Sequence, residues 1–108
     1  MLNKRPQMRL SHDEEMFLRH WMYDEVHYED GPGPAKRLQL QHRAIPADLA
    51  IIIAAAIPDL VEQERAGLAR ASAEPPTWPW SEDSLRARVS EAKTALGLEP
   101  MSQAAADR

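Results

Sequence analysis

The sequence predicts an all-α fold: a small bundle of four to five short helices around a central apolar helix at residues 46–57, with an extended proline- and tryptophan-containing arm at residues 74–80. Helix-capping patterns precede the amphipathic stretches, and glycine or proline follows them. An uninterrupted apolar run lies between Pro46 and Pro58, and no stretch has a plausible partner strand elsewhere in the chain.

The first helix is predicted from His12 to about Tyr28. Ser11 with Glu14 three residues later is a capping-box pattern, and the acidic residues that follow Ser11 suit the positive end of a helix. The prolines and glycines of residues 31–34 disfavour any continuation of the helix. At 100° per residue the apolar side chains form a wide arc, made of Phe17, Leu18, Trp21, Met22, Val26 and Tyr28.

A second helix is predicted from Pro34 to about Arg43, because proline is well suited to the first helical position. The alternation of leucine and glutamine over residues 38–41 also fits a strand. We favour a helix because a strand here would have no partner.

The third helix is predicted to open at Pro46 and to end before Pro58. Asp48 lies in its first turn, where the helix dipole favours an acidic side chain. Beyond Asp48 this helix has no polar face, so we expect it to be buried by the chain itself or by a partner.

Two further helices are predicted, at about residues 60–66 and at residues 82–96, each followed by a glycine. Ser81 is placed to cap the last helix, in which leucine, valine and alanine recur at heptad-like spacing. Between these helices the proline-rich arm at residues 74–80 is expected to be extended.

The composition limits the class of protein. With 108 residues the chain is expected to form a single helical domain at residues 11–97, between a flexible basic N-terminus at residues 1–10 and a disordered tail at residues 98–108. The absence of cysteine fits a reducing cytoplasm, and the apolar run is about half of what a membrane span needs, roughly 20 residues. A net charge of −4 argues against general nucleic-acid binding.

Motifs for catalysis are lacking in this sequence. It contains no G-x-S-x-G, no phosphate-binding glycine loop and no evident nucleophile–base pair, so we expect no enzyme activity and no cofactor. One pattern nevertheless favours a metal site: His20, Asp24 and His27 share a narrow polar strip of the first helix, and imidazole with carboxylate is a common ligand set. The alternative is a solvated face with local hydrogen bonds between histidine and aspartate.

A second alternative is DNA association through Lys36, Arg37 and Arg43, since two short helices joined by a tight turn occur in helix-turn-helix proteins. The segment from Lys36 to Gly67 resembles the repressor-type helix-turn-helix family at its Leu49-Ala50 pair and its Glu64-Arg65 pair. The resemblance implies a recognition helix at about residues 59–66. This segment departs from the family because it is acidic, and an acidic helix is repelled by phosphate.

The function that we expect is that of a small non-enzymatic interaction module: a subunit, adaptor or accessory factor that binds another protein or itself. The reason is an excess of apolar helix surface over the segments available to cover it, and large open apolar surfaces mark association. Aromatic side chains dominate such contacts. The expected contact residues are Phe17, Trp21, Tyr28, Trp78 and Trp80, although the two tryptophans of the arm also suit a role as a cover over the domain's own core.

Overall fold

The computed structural model describes residues 7–67 and 76–98, and within these residues it contains five helices and no strand. The prediction of an all-α fold is confirmed. The helices are α1 (His12–His27), α2 (Pro34–Gln41), α3 (Pro46–Ala56), α4 (Leu60–Arg65) and α5 (Glu82–Ala95).

The helix starts follow the local chemistry of the sequence. The capping box at α1 is complete, because the Ser11 hydroxyl accepts from the Glu14 N–H at 3.2 Å while the Glu14 carboxylate accepts from the Ser11 N–H at 2.8 Å. Ser81 and Ser84 form the equivalent reciprocal pair at the start of α5. Proline occupies the first turn of both α2 and α3.

The helices pack in two groups that share one core. α1 packs against α2 and α4, whereas α3 packs most extensively against α5. The core that joins them is built from buried apolar side chains, the largest of which with almost no exposure are Phe17, Leu18, Leu49, Ile52 and Leu60.

The apolar helix α3 is buried along one side only. Leu49 and Ile52 are fully buried, whereas the outer side of the helix carries the exposed alanines Ala47, Ala50 and Ala54. These three residues are spaced i, i+3 and i+7, which places them on one face. The large side chains of this apolar run face the core, except for Ile51, which is half-buried. The exposed residues of the run are therefore small ones.

The segment before α1 belongs to the packed structure. The sequence predicts a flexible N-terminus over residues 1–10, but Met8 is 5 % exposed and lies in the core. The Gln7 N–H also donates to the Ala55 carbonyl at 2.6 Å, near the C-terminal end of α3. A helix leaves its last carbonyls without partners inside the helix, and this segment satisfies one of them. Residues 1–6 and 99–108 of the predicted termini lie outside the described residues.

The arm is described from Pro76 to Trp80 and contains neither helix nor strand there; residues 74 and 75 lie outside the described residues. The arm packs onto α1 through its rings. The Phe17 ring meets Trp78 and Trp80 edge-on, with centroid distances of 5.1 and 5.6 Å. Edge-to-face pairs of this kind stabilise by about 1 kcal/mol beyond the burial of their area. The arm therefore covers the core of its own chain.

Candidate interaction surface at the turn between α2 and α3

Three of the five predicted contact residues are not at the surface. Phe17, Trp21 and Trp80 are 1 %, 4 % and 5 % exposed, so they form part of the core rather than a surface for a partner. Except for Tyr28 and the partly buried Val26, the apolar arc of α1 is buried, and α1 packs against α2, α4 and the arm. The remaining two residues lie apart: Tyr28 is exposed just beyond α1, and Trp78 is half-buried in the arm.

Trp78 connects the arm to the turn between α2 and α3. Its ring stacks on the His42 ring with a centroid distance of 4.7 Å and an interplanar angle of 4°. His42 is the residue that ends α2. One face of the indole therefore meets an imidazole at the surface, while the same ring lies nearly perpendicular to the buried rings of Phe17 and Trp80.

The turn itself is a Schellman motif. The Ala44 N–H donates to the Gln39 carbonyl at 3.3 Å, and the Arg43 N–H donates to the Leu40 carbonyl at 3.2 Å. The buried Gln39 amide adds a 2.7 Å hydrogen bond to the Ala44 carbonyl. The turn is thus held by backbone and side chain together, which fixes the direction in which the chain leaves α2.

Arg43 occupies the left-handed position of this motif, with φ at 62°. Glycine is the usual residue there because it lacks a Cβ that meets the neighbouring carbonyl. A non-glycine residue in this conformation costs roughly 1–2 kcal/mol. The backbone therefore carries strain at the one point of the turn where an arginine side chain projects.

A cleft of about 450 Å³ lies between this turn and the start of α5. Apolar groups of Ala44, Trp78, Trp80 and Leu85 line part of it. The polar and charged side chains around it are Gln41, His42, Arg43, Asp48, Ser81 and Glu82. A concave surface with apolar walls and a few polar groups is the usual character of a binding site.

Two large apolar side chains are exposed on the same turn. Leu40 is 63 % exposed and Ile45 is 54 % exposed, and only the four residues 41–44 of the turn lie between them in the sequence. Leu40 faces outward because it lies two residues after Leu38, about 200° around α2, so that only one of the two can pack on the core. With the cleft, these residues form what we call the turn surface: Leu40, His42, Arg43, Ile45 and Trp78.

The arm that carries Trp78 is held in place by a hydrogen bond from Trp80 to the Glu14 carboxylate. One carboxylate oxygen of Glu14 accepts from the Trp80 indole N–H at 2.7 Å and from Arg88 Nε at 2.8 Å. The other oxygen accepts from Arg88 Nη2 and from the Ser11 N–H, each at 2.8 Å. This carboxylate thus connects the start of α1, the arm and α5, and it fixes Trp80 two residues after Trp78.

The charges of Glu14 and Arg88 stabilise each other. Burial by itself raises the pKa of Glu14, but hydrogen bonds from Arg88, from the Ser11 backbone and from Trp80 outweigh burial and lower the pKa to about 2. The hydrogen bond to Glu14 raises the pKa of Arg88 above its ordinary value. Both groups are therefore charged at neutral pH, and the ion pair is bidentate.

The predicted metal ligands are not brought together. Asp24 is buried, and its Oδ2 accepts from the Ala35 and Lys36 N–H groups at 2.7 and 3.3 Å, which caps the start of α2. His27 Nε2 lies 3.2 Å from the Glu64 carboxylate on α4. Within residues 7–67 and 76–98, no three histidine, aspartate or glutamate side chains are placed so that they could hold a metal ion.

The residues predicted to bind nucleic acid are also not brought together. Lys36 forms a 2.9 Å ion pair with Glu25, and Arg37 Nε donates to the Pro32 carbonyl, both near the start of α2. Arg43 lies beyond the other end of that helix, on the cleft. The three side chains therefore do not form one basic patch, and α2 and α3 each pack mainly on a different helix rather than on each other.

Sequence reasoning missed the exposed residues of the turn. No capping pattern or motif marks Leu40 or Ile45, although the spacing of Leu38 and Leu40 in a helix is a signal that one of them faces solvent. The sequence predicts a role for Arg43 from its charge alone. Its left-handed backbone could not be anticipated, because arginine is not a residue that favours that conformation.

Comparison with known proteins identifies no relative. No protein-family model matches the chain, and neither a curated protein nor a solved structure matches it significantly. The resemblance to the helix-turn-helix family is therefore not supported by any match. Among the described residues, no helix combines the length and the apolar character that crossing a membrane requires.

Proposed function

We propose that this chain is a small, non-enzymatic, cytoplasmic protein–protein interaction module and that the turn surface is where it binds. The observation that carries the proposal is the exposure of Leu40 and Ile45 on one turn beside an open, partly apolar cleft. Single exposed leucines are common on proteins, but two large exposed apolar residues on the turn that lines a concave site favour a contact surface.

The rings of the cleft support the same proposal. Trp78 and His42 stack at the edge of the cleft, so an aromatic surface is available beside the aliphatic side chains. Aromatic residues are enriched at the centres of interfaces, where they contribute large contact areas with few rotatable bonds.

Rigidity of the surface also favours binding. The Schellman hydrogen bonds and the Gln39 amide hold one side of the cleft, and the Glu14–Trp80 hydrogen bond holds the other. A surface that is already ordered loses little conformational entropy when a partner binds. The buried network of α1, the arm and α5 is therefore the support on which the turn surface is presented.

The proposal is tested by removing the exposed apolar groups without touching the core. The double variant Leu40→Ser/Ile45→Ser is compared with Leu98→Ser, a matched control because Leu98 is also 63 % exposed but lies beyond the end of α5. Sedimentation equilibrium reports self-association, and capture from extracts of the cells that produce the protein naturally reports other partners.

We expect the wild type and Leu98→Ser to give the same self-association or to retain the same captured protein, and the double variant to lose it. Equal behaviour of all three proteins would reject the turn surface as the binding site. Strictly monomeric wild type with no captured protein would reject the interaction module itself. Circular dichroism of each variant establishes that it remains folded.

A further inference from the structure

We propose that Asp30 is a modification site, at which the chain isomerises spontaneously to isoaspartate through a cyclic succinimide formed with Gly31. The chemistry requires water, and it requires no enzyme, cofactor or oxidant. The site lies at the opposite end of α2 from the turn surface, and the inference does not depend on the proposed function.

The pair Asp30-Gly31 is the one place in this sequence where an aspartate precedes a glycine. An aspartate carboxyl can reach the backbone nitrogen of the next residue and close a five-membered ring with it. A side chain on that next residue hinders the closure, and glycine has none. Of the aspartates in the chain, Asp30 therefore has the least hindered neighbour.

The loop that contains this pair leaves it open to reaction. Residues 28–33 contain neither helix nor strand, and both Asp30 and Gly31 are exposed. Within ranges 7–67 and 76–98 the Gly31 N–H donates no hydrogen bond, and the Asp30 carboxylate has no partner. Nothing lies within 4 Å of the position that a Cβ of Gly31 would take. The attacking nitrogen is thus neither held by an acceptor nor confined by packing.

The backbone requires glycine at position 31. Its φ of 109° is a conformation that residues with a side chain rarely adopt. A bulkier residue that would slow the ring closure therefore does not fit this turn. The loop retains the unhindered neighbour, and the reactivity depends on which side chain precedes it.

The reaction balances without a co-reactant other than water. The Gly31 nitrogen attacks Cγ of Asp30, the bond from Cγ to one carboxyl oxygen breaks, and that oxygen leaves as water with the amide proton and the proton of the carboxylic acid. Water then adds to one of the two carbonyls of the ring. Addition at Cγ breaks its bond to nitrogen and restores aspartate. Addition at the α-carbonyl leaves the main chain running through Cβ and Cγ, which is isoaspartate.

Asp83 provides a contrast within the same chain. Its side chain is 93 % exposed, and its neighbour Ser84 is small. The Ser84 N–H, however, donates to the Ser81 hydroxyl at 3.0 Å, and both Asp83 and Ser84 lie in the first turn of α5. Ring closure there requires the start of the helix to open. Folding should therefore protect Asp83 and leave Asp30 reactive.

Isomerisation adds one atom to the main chain just before α2, where the following residues are held in place. The Gly33 carbonyl accepts from the Arg37 N–H at 3.0 Å, and Gly33 lies close against the Asp24 carboxylate. That carboxylate caps the start of α2. A longer loop should displace Gly33 from Asp24 and weaken the cap, so we expect the isoaspartate form to unfold at lower urea concentrations.

The test incubates the full-length protein for several weeks at physiological temperature and neutral pH, both folded and unfolded in guanidinium chloride. Isoaspartate is counted by methyl transfer from S-adenosylmethionine with a protein-isoaspartate methyltransferase. It is located in the tryptic peptides of residues 20–36 and 71–86, which contain Asp30 and Asp83. Two variants are compared with the wild type. Asp30→Glu keeps the charge but needs a six-membered ring, and Asp30→Asn releases ammonia, which leaves more readily than water.

We expect isoaspartate to accumulate in the 20–36 peptide of the folded wild type at a rate within tenfold of that of the unfolded chain. The 71–86 peptide should gain it only when the protein is unfolded. Asp30→Asn should isomerise at least tenfold faster than the wild type, and Asp30→Glu should show no isoaspartate in the 20–36 peptide. Aged wild type should also gain a second unfolding transition at lower urea, which aged Asp30→Glu should lack.

Absence of isoaspartate from the 20–36 peptide of the folded wild type, or an equal amount in Asp30→Glu, would overturn the site. Similar accumulation at Asp83 in the folded protein would overturn the protection that the start of α5 is argued to give. Isoaspartate at Asp30 without any change in unfolding would overturn the effect on α2 and leave the modification site in place.

Discussion

Arg88 and Glu14, 74 positions apart in sequence, are joined by two parallel hydrogen bonds of 2.8 Å. The pair fastens α5 to the first turn of α1, and the same carboxylate holds the Trp80 indole. Because Glu14 is buried, its four hydrogen bonds replace the water that the carboxylate gives up on folding. This arrangement determines where the arm lies, and hence where Trp78 meets the turn surface.

Removal of the cation should destabilise the fold strongly. Arg88→Met leaves a buried carboxylate without its counterion, and we expect the free energy of unfolding in urea at pH 7 to fall by about 3 kcal/mol. The matched control is Arg86→Met on the same helix, whose exposed ion pairs should contribute less than about 1 kcal/mol. Similar losses in the two variants would contradict the special role of the Glu14–Arg88 pair.

Acid should weaken the fold through Glu14. Its pKa in the folded protein is about 2, below the ordinary glutamate value of 4.5, so the unfolded chain binds a proton at pH values where the folded one does not. The contribution is complete above pH 4.5 and is lost as the pH falls toward 2. Urea unfolding of Glu14→Gln should show a smaller decrease over this window than the wild type. A parallel decrease in both proteins would contradict the assignment.

Asp24 on α1 should act as a cap for the start of the neighbouring helix α2. Asp24→Ala leaves the N–H groups of Ala35 and Lys36 without their acceptor, and we expect a loss of about 2 kcal/mol in the free energy of unfolding. Asp24→Asn keeps one oxygen acceptor and should lose less than half as much. Asp13→Ala, an exposed acid in the first turn of α1, is the control. A neutral Asp24→Ala variant would show that the cap is not needed.

The space around this cap makes a related prediction for Gly33. A Cβ added there would lie 2.5 Å from the Asp24 carboxylate, too close for any real contact. Gly33→Ala should therefore destabilise the protein, although its backbone conformation is an ordinary one for alanine. In the Asp24→Ala background the same substitution should be tolerated better, which a double-mutant cycle of unfolding free energies would measure.

The backbone strain at Arg43 predicts opposite effects for two substitutions. Arg43→Gly should raise the free energy of unfolding by about 1 kcal/mol, because glycine adopts the left-handed conformation without a steric penalty. Arg43→Val should lower it, since a β-branched side chain fits that conformation worst. Thermal unfolding of the two variants beside the wild type checks the order. A more stable valine variant would be inconsistent with the observed turn.

Patterns within a few residues predicted much of the fold. The start of α1 at Ser11, the prolines at the starts of α2 and α3, and the cap at Ser81 all operate through neighbouring backbone groups, so they can be recognised in the sequence. The candidate site could not be predicted in the same way. Phe17, Trp21 and Trp80 are of residue types that are enriched at interfaces. Whether such rings face a partner or the core depends on which other segments cover them.

Local chemistry along the chain thus determined that this protein is helical and where its helices begin. Only the tertiary structure decided what the polar residues do, because their partners are remote. Glu14 completes a capping box as the sequence predicts, yet the same carboxylate also binds Trp80 and Arg88 from the far end of the chain. Asp24 caps a different helix from its own. A capping hydrogen bond spans three residues and can be read from a pattern, whereas contacts across the core follow from how the helices pack.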